Sequence, residues 1–255
     1  MDAKAFYELR HEKSAVGRLV RAAVFVYEKA RPRQPYRSRN QEAQIFERHL
    51  GARGDVLILG SNLPPEALAA YRGQKVSQLD RKPLPHVDIV ADAEALSASI
   101  GEASYDYVVS TSMLEHTPHP WKVVEEVFKV LRPGGIFYLS APWMFPLHGE
   151  PHDYWRFSRP CLQGLVRDAG FIEIESGSEY SPHAALQTFL RTYLSEALSF
   201  NRSMVFYSLE FLSAWLLYPL GFLEGALRLG PRTHYYTDSI LYVVARKPGE
   251  RPAPR

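Results

Sequence analysis

The stretch from Tyr105 to Trp143, YDYVVSTSMLEHTPHPWKVVEEVFKVLRPGGIFYLSAPW, constrains the fold of this 255-residue chain more than any other. Tyr105 to Thr111 is an apolar run of strand length, too short for a helix. The loop LEHTPHP follows. Its Pro120 stands where a first helical residue tolerates proline, because the missing N–H would have no partner there. From Trp121 onward, Val123, Val124, Val127, Val130 and Leu131 recur at helical spacing and define one apolar face. Glu125 and Glu126 early, with Lys129 and Arg132 late, suit the helix dipole. Pro133-Gly134-Gly135 is expected to stop this helix, glycine supplying the positive φ of a C-cap. Ile136 to Ala141 is a second apolar run. Two buried strands joined through one helix make a βαβ unit, which requires a parallel sheet covered on both faces.

In the order YDYVV, LEH, VLRPGG and an apolar strand ending in Pro142, this stretch resembles the second half of a class I methyltransferase domain. Such enzymes use S-adenosyl-L-methionine (SAM). The following HGEPHDYWRFS is similar to a segment of bacterial methyltransferases of cell-surface polysaccharide and lipid-linked sugar pathways. The resemblance runs from Gly54 to Phe171 and returns near Ser239. It implies a doubly wound, Rossmann-like α/β sheet of seven strands with an antiparallel last strand.

The earlier strands carry the residues that the resemblance assigns to the cofactor. Asp55 to Leu59 is the first strand, ended by Gly60, and the loop GSNLPP leads into a helix from Glu66 to Tyr71. In this class of sheet, ligands lie beyond the carboxyl ends of the strands, where strand order reverses. The resembled family places a Gly-x-Gly-x-Gly loop there, with an acidic residue two positions before it. Here only Gly60 matches. Asn62 and Pro64 take the other glycine positions, and Ile58 replaces the acid. Asn62 tolerates a left-handed backbone better than most residues. The resemblance therefore sets Gly60, Ser61 and Asn62 against the cofactor. Lys75 to Leu79 is the second strand, followed by Asp80, whose acceptor-only carboxylate can hold both ribose hydroxyls. Val87 to Ala91 is the third. By resemblance, Asp92 then lies beside the adenine, the Ala93 N–H serves a ring nitrogen, and Ser110 adds a hydroxyl at the end of the fourth strand. The plain alternative for both aspartates is the capping of a turn.

Past Pro142, the loop holds His148, Glu150, His152, Asp153, Tyr154 and Arg156. Methyl transfer to a hydroxyl requires alignment of the acceptor and removal of its proton, and histidine suits the second task near neutral pH. His152 beside Asp153 is the first candidate base and His148 the second. Tyr154 and Arg156 are candidates for the substrate, arginine offering a bidentate fork to an acid. The alternative is a structural lid with Asp153 and Arg156 paired. His116 and His119, with His148 and His152, have spacings found in metal sites, but they lie on loops rather than one helix face, and no metal is expected.

Pro160 to Ala169 is a helix capped by Gly170, Phe171 to Glu175 opens the sixth strand, and Ser239 to Arg246 is the last. Between them, MVFYSLEFLSAWLLYPLGFLEGALRL (Met204 to Leu229) is interrupted by Glu210, Pro219 and Glu224, so it does not read as a simple spanning helix of ~20 apolar residues. It is a helical cap, a membrane-contacting hairpin or a dimer interface. Residues up to Asn40 hold ten basic against four acidic side chains, and Ser14 to Ala30 reads as a basic amphipathic helix. Such a helix can rest on an anionic membrane or pack on the domain. These features divide the chain into an extension (1–50), a core (51–180 with 239–247), an insertion (181–238) and a polar tail (248–255). The single cysteine, Cys161, excludes an internal disulfide framework and fits a reducing compartment. Interspersed acidic and basic residues at the start argue against a secretory signal, so a cytoplasmic location, with possible contact at the inner membrane face, is expected. No aromatic residues interleave a long basic run, which disfavours nucleic acid. No Gly-x-Gly-x-x-Gly follows a strand, which disfavours a dinucleotide oxidoreductase. SAM-dependent methyl transfer to a hydroxyl of a small molecule, sugar or lipid-linked glycan is the expected function. A non-catalytic methyltransferase-like scaffold is the alternative, and the oligomeric state is left open.

Overall fold

The structure, a computed structural model, describes residues 54–61, 63, 68, 71, 74–149, 152–179, 182–200, 202–221 and 237–249, with the isolated positions 18, 30, 48 and 49. The chain divides into two compact units, Ser38–Glu179 with Asp238–Arg255, and Tyr180–Thr237 with Met1–Arg37.

The first unit is a seven-stranded sheet. Its strands are β1 (Asp55–Leu59), β2 (Lys75–Asp80), β3 (Ile89–Val90), β4 (Tyr105–Thr111), β5 (Leu131–Pro142), β6 (Ile172–Ser178) and β7 (Ile240–Arg246). They lie in the order β3-β2-β1-β4-β5-β7-β6. β1 to β5 pair in parallel, while β7 runs antiparallel to both β5 and β6. The doubly wound sheet with an antiparallel last strand is thus the observed fold. Chain order reverses between β1 and β4, which sets a crevice at their carboxyl ends.

Period-two alternation assigns each strand residue to a face. Leu57, Leu59, Val108, Phe137, Leu139 and Val243 share one buried cluster with the helices. Val56, Ile58, Val109, Tyr138 and Val244 form the other. Both faces are buried, so these strands read as continuous apolar runs. Helix α1 (Leu96–Ile100) follows a short 3-10 turn at Ala93–Ala95, and α2 (Pro120–Val130) begins on Pro120 as the sequence predicts. Val123, Val124, Val127 and Val130 of α2 are fully buried, each contributing about 1.5–3 kcal/mol as an upper estimate. Helix α3 (Arg159–Asp168) ends before Gly170, whose φ is +96°.

Three expectations are corrected. Pro133-Gly134-Gly135 does not cap α2: the helix ends at Val130, and Leu131 is already extended. The three residues instead open β5, where the register slips between Tyr105 and Tyr107 of β4. Gly134 has φ +73° there, and a Cβ on Gly135 would lie 2.8 Å from the Arg132 carbonyl oxygen. Glu125 and Glu126 do not serve the dipole, because α2 starts at Pro120 and its first turn holds no acidic residue; Glu126 instead joins two elements. It is buried and accepts hydrogen bonds from the Ser97 N–H and hydroxyl and from Lys129. The third strand is also shorter than expected, confined to Ile89–Val90. The backbone N–H groups of Asp88 and Ala91 still bond to the Gln78 and Asp80 carbonyls on either side of it.

In the second unit, α4 (Pro182–Ser199) and α5 (Ser203–Leu217) pack as an antiparallel hairpin. The Gln187 amide donates to the Leu217 carbonyl, and Arg191 pairs with Glu210 at 2.7 Å. Among the described residues, no helix is long and apolar enough to cross a membrane. The helix expected over 66–71, the basic helix over 14–30 and the tail fall largely or wholly outside the described residues, as does Asn62.

Candidate active site

The carboxyl ends of β1, β2 and β4 build one side of the site. Gly60 follows β1 with φ +62°, and a Cβ there would lie 2.5 Å from Met113 Cγ. Only glycine suits both the backbone and the gap, so the loops after β1 and β4 meet where strand order reverses. The next residue, Ser61, is buried and donates its hydroxyl to Gln78 Oε1 at 2.7 Å. The Gln78 amide also accepts from Leu63 N and donates to the Leu63 carbonyl. A β2 side chain thus fixes the loop that glycines shape in the resembled family. Sequence reasoning missed Gln78. A polar residue amid the β2 run is the one signal that marks it.

Asp80 ends β2, and its Oδ1 accepts the Lys82 N–H at 2.8 Å. Asp92 is the N-cap of the turn at Ala93–Ala95, its Oδ1 accepting from Glu94 N while Oδ2 lies 3.6 Å from Arg81. Ala93 is buried. The strands β1, β2 and β3 therefore end, as neighbours, on Gly60, Asp80 and Asp92. At the end of β4, Ser110 is fully buried, and among the described residues its hydroxyl has no hydrogen-bond partner. The same holds for the hydroxyls of Thr111 and Ser140, which are paired in register. Ser112, just beyond, has a strained φ of +47°. Buried hydroxyls with no partner among the described residues at the end of β4, and carboxylates at the ends of β2 and β3, are groups that a polar nucleoside ligand could engage. Ile58, where the resembled family has an acid, points into the core.

The loop after β5 builds the other side. Asp153, whose side chain is fully buried, receives the Arg156 fork at 2.6 and 2.8 Å. It also accepts the His148 N–H at 2.7 Å. Arg156 further donates to the carbonyls of Phe145, Pro146 and Trp155. This corrects two expectations. Asp153 pairs with His148 rather than His152, because its carboxylate turns inward toward Arg156. The Arg156 fork, moreover, is filled by the loop and is not available to a substrate acid. Burial pushes the Asp153 carboxyl up, but the bonds from Arg156 and His148 outweigh it and hold it below the usual range.

His152 is exposed, with Nδ1 2.9 Å from Tyr154 Oη. Tyr154, half-exposed, donates its N–H to the Glu115 carbonyl. His148 Nδ1 lies 3.2 Å from the Pro146 carbonyl and 3.3 Å from Asp153 Oδ2, and its Nε2 lies 3.6 Å from Glu115 Oε1. Glu115 raises the His148 pKa most, burial opposes it, and Asp153 adds to the rise. His116 donates its Nδ1–H to the His152 carbonyl at 2.6 Å. Of the four histidines with metal-like spacing, His116 and His148 come together, their rings 5.1 Å apart. His119 instead pairs with Glu94 at 2.9 Å. Glu115 is a second residue that sequence reasoning missed. It is fully buried, and neither carboxylate oxygen accepts a hydrogen bond among the described residues.

Residues 45–139 match the family described as methyltransferase domain. Over 151 residues the chain is 30% identical to a ubiquinone biosynthesis O-methyltransferase of Psychrobacter arcticus, covering 51% of this chain and 57% of that protein. Over 108 residues it is 35% identical to the protein of the same name from Paraburkholderia phymatum, covering 35% and 46%. The chain thus spans about half the length of the curated relatives it matches. Among solved structures, the Haemonchus contortus phosphoethanolamine N-methyltransferase 2 with S-adenosyl-L-methionine superposes with a TM-score of 0.55 at 17% identity, covering 89% of this chain and 57% of that one. A Burkholderia thailandensis 1,6-didemethyltoxoflavin-N1-methyltransferase gives 0.51 at 18%, covering 91% and 89%. At these identities the solved structures establish the shared fold.

Proposed function

We propose that this chain is a class I methyltransferase that transfers a methyl group from SAM to a hydroxyl of a small-molecule acceptor, a reading supported by the doubly wound sheet and by the family match over residues 45–139. The observation that carries this reading is the run of Gly60, Asp80 and Asp92 at the ends of three adjacent strands beside the point where strand order reverses. Relatives named O-methyltransferases favour oxygen as the acceptor atom.

When bound, the cofactor supplies an electrophilic methyl group. In this reading, Gly60 and Ser61 let the backbone approach it, Asp80 holds the ribose hydroxyls, and Asp92 with Ala93 borders the adenine. The Ser110 hydroxyl, which has no partner among the described residues, gains one. His152 takes the acceptor's proton on Nε2, in the tautomer whose Nδ1–H donates to Tyr154 Oη 2.9 Å away. His148 serves this purpose less well, because the two carboxylates around it favour the protonated ring. Tyr154, half-exposed on the same loop, borders the acceptor.

The narrower acceptor, a sugar or lipid-linked glycan, rests on the likeness of the HGEPHDYWRFS segment. Contact with an anionic membrane from the cytoplasmic side draws support from two features. Met204, Leu212 and Leu216 are more than half exposed and Trp215 is half exposed, and the first forty residues are basic. Incubating the chain with methyl-labelled SAM and either a catechol or a hexopyranoside tests the reaction. Label recovered as a methyl ether is expected, and the acceptor that takes it separates the narrower readings. SAM binding without transfer to any hydroxyl compound would favour the non-catalytic alternative.

A further inference from the structure

We propose that Glu115, His116 and His148 form a binding site for one divalent transition-metal ion, with zinc the best fit to the ligand set. The three donor atoms lie within 4.8 Å of one another. Glu115 Oε1 is 3.6 Å from His148 Nε2 and 3.9 Å from His116 Nε2. In a tetrahedral zinc site with bonds of ~2.0–2.2 Å, neighbouring ligands stand about 3.3–3.6 Å apart, so small adjustments close the set.

The hydrogen bonds around the cluster prepare it for a cation. His116 donates Nδ1–H to the His152 carbonyl, which leaves Nε2 as its ligating nitrogen, 3.9 Å from Glu115 Oε1. The His148 Nδ1 faces the Pro146 carbonyl and Asp153, which leaves its Nε2 toward the same carboxylate. A ligating imidazole whose other nitrogen is held by a carbonyl or carboxylate is the usual outer support of a metal site. Asp153 is itself fixed by Arg156. The ring of His116 is held in place by Gly149, where a Cβ would lie 2.8 Å from His116 Cε1. Glu115 supplies the independent observation: a fully buried carboxylate that accepts no hydrogen bond among the described residues. Burying such a charge is costly unless a cation compensates it; a metal ion would do so in place of the proton that the carboxylate favours on His148, 3.6 Å away.

Both imidazoles are about one-third exposed, so an ion can enter and one coordination position remains open to a water or hydroxyl oxygen. The cluster lies on the turn after β4 and the loop after β5, at the carboxyl edge where such sheets hold ligands. That the open position takes the acceptor hydroxyl rests on the methyl-transfer reading; the metal site itself does not.

The full chain, stripped with a chelator, is titrated with Zn²⁺ by calorimetry and with Co²⁺ by visible absorption, and SAM is titrated into the same preparation. One equivalent of Zn²⁺, a raised Tm and the d–d bands of a low-coordinate Co²⁺ site are expected. His116→Gln and His148→Gln should each weaken Zn²⁺ more than the 10- to 100-fold typical of losing an outer partner. His119→Gln, which alters the separate pair with Glu94, should bind as the wild type does. Folding of each variant is checked by its melt in chelator. Absence of saturable Zn²⁺ binding by the wild type, or unchanged affinity in both ligand variants, overturns the site. Zinc binding without SAM binding contradicts the methyl-transfer reading and leaves the metal site standing.

Discussion

Asp80 ends β2 with one carboxylate oxygen accepting the Lys82 N–H, a local bond that costs little to lose. Asp80→Ala should therefore melt close to the wild type yet bind SAM more weakly by ~1.5–3 kcal/mol, the loss of hydrogen bonds to a charged acceptor. Equal affinities by calorimetry would remove Asp80 from the ribose. Glu126 makes the opposite case. Its carboxylate joins α1 to α2 through Ser97 and Lys129, and Glu126→Gln should destabilise the fold by about 1–3 kcal/mol. Burial pushes this carboxyl up, but the bonds from Lys129 and Ser97 outweigh it and depress its pKa in the folded state. The stabilisation is therefore complete above the unfolded value of about 4.3 and is lost as pH falls through the folded value. Melts of both proteins at neutral pH and at pH ~3 check this: the gap in Tm should close in acid. At this scale the sequence made Gly60 and Asp80 legible, because a strand end is a local feature. It hid Gln78, Glu115 and Glu126, whose partners lie on loops or neighbouring elements brought near only by the fold.

The ends of elements show the same limit. The apolar runs place β1, β4 and α2, since a buried face leaves its period in the sequence. The Pro-Gly-Gly run was ambiguous, because positive φ serves a helix cap and a bulged strand start equally well. The pairing of β5 with β4 and β7 decides it: the Gly134 N–H donates to the Lys247 carbonyl, and Lys247 N donates back to Gly135. Lys247 then reaches across with its ammonium to the carbonyls of Phe128 and Leu131 at the carboxyl end of α2, 4.7 Å above the Phe128 ring. Lys247→Met keeps the apolar stem and removes the cap. It should cost about 1–2 kcal/mol and lower Tm by several degrees, with SAM affinity unchanged. A variant that melts with the wild type would show the cap to be idle. In the loop after β5, the composition marked a segment dense in polar side chains but could not say which histidine faces Asp153.

The chain joins a sheet unit built on two buried apolar clusters to a helical hairpin with many apolar side chains exposed. Trp215 and Leu216, 50% and 74% exposed, can be replaced with serine at little cost to the fold. If the hairpin meets a membrane, the wild type should sediment with anionic vesicles and be partly released by salt, which screens only the basic segment's attraction, over ~10 Å at 0.1 M. The double variant should stay in solution at every salt concentration; wild-type protein that ignores vesicles throughout contradicts the contact. None of this bears on the central claim, that the crevice at the β1–β4 reversal holds SAM. Titration calorimetry of the full chain with SAM tests that claim most directly. Saturable binding at one site, competed by the demethylated product and weakened in Asp80→Ala, is the predicted result. A folded wild type that takes up neither compound would contradict it.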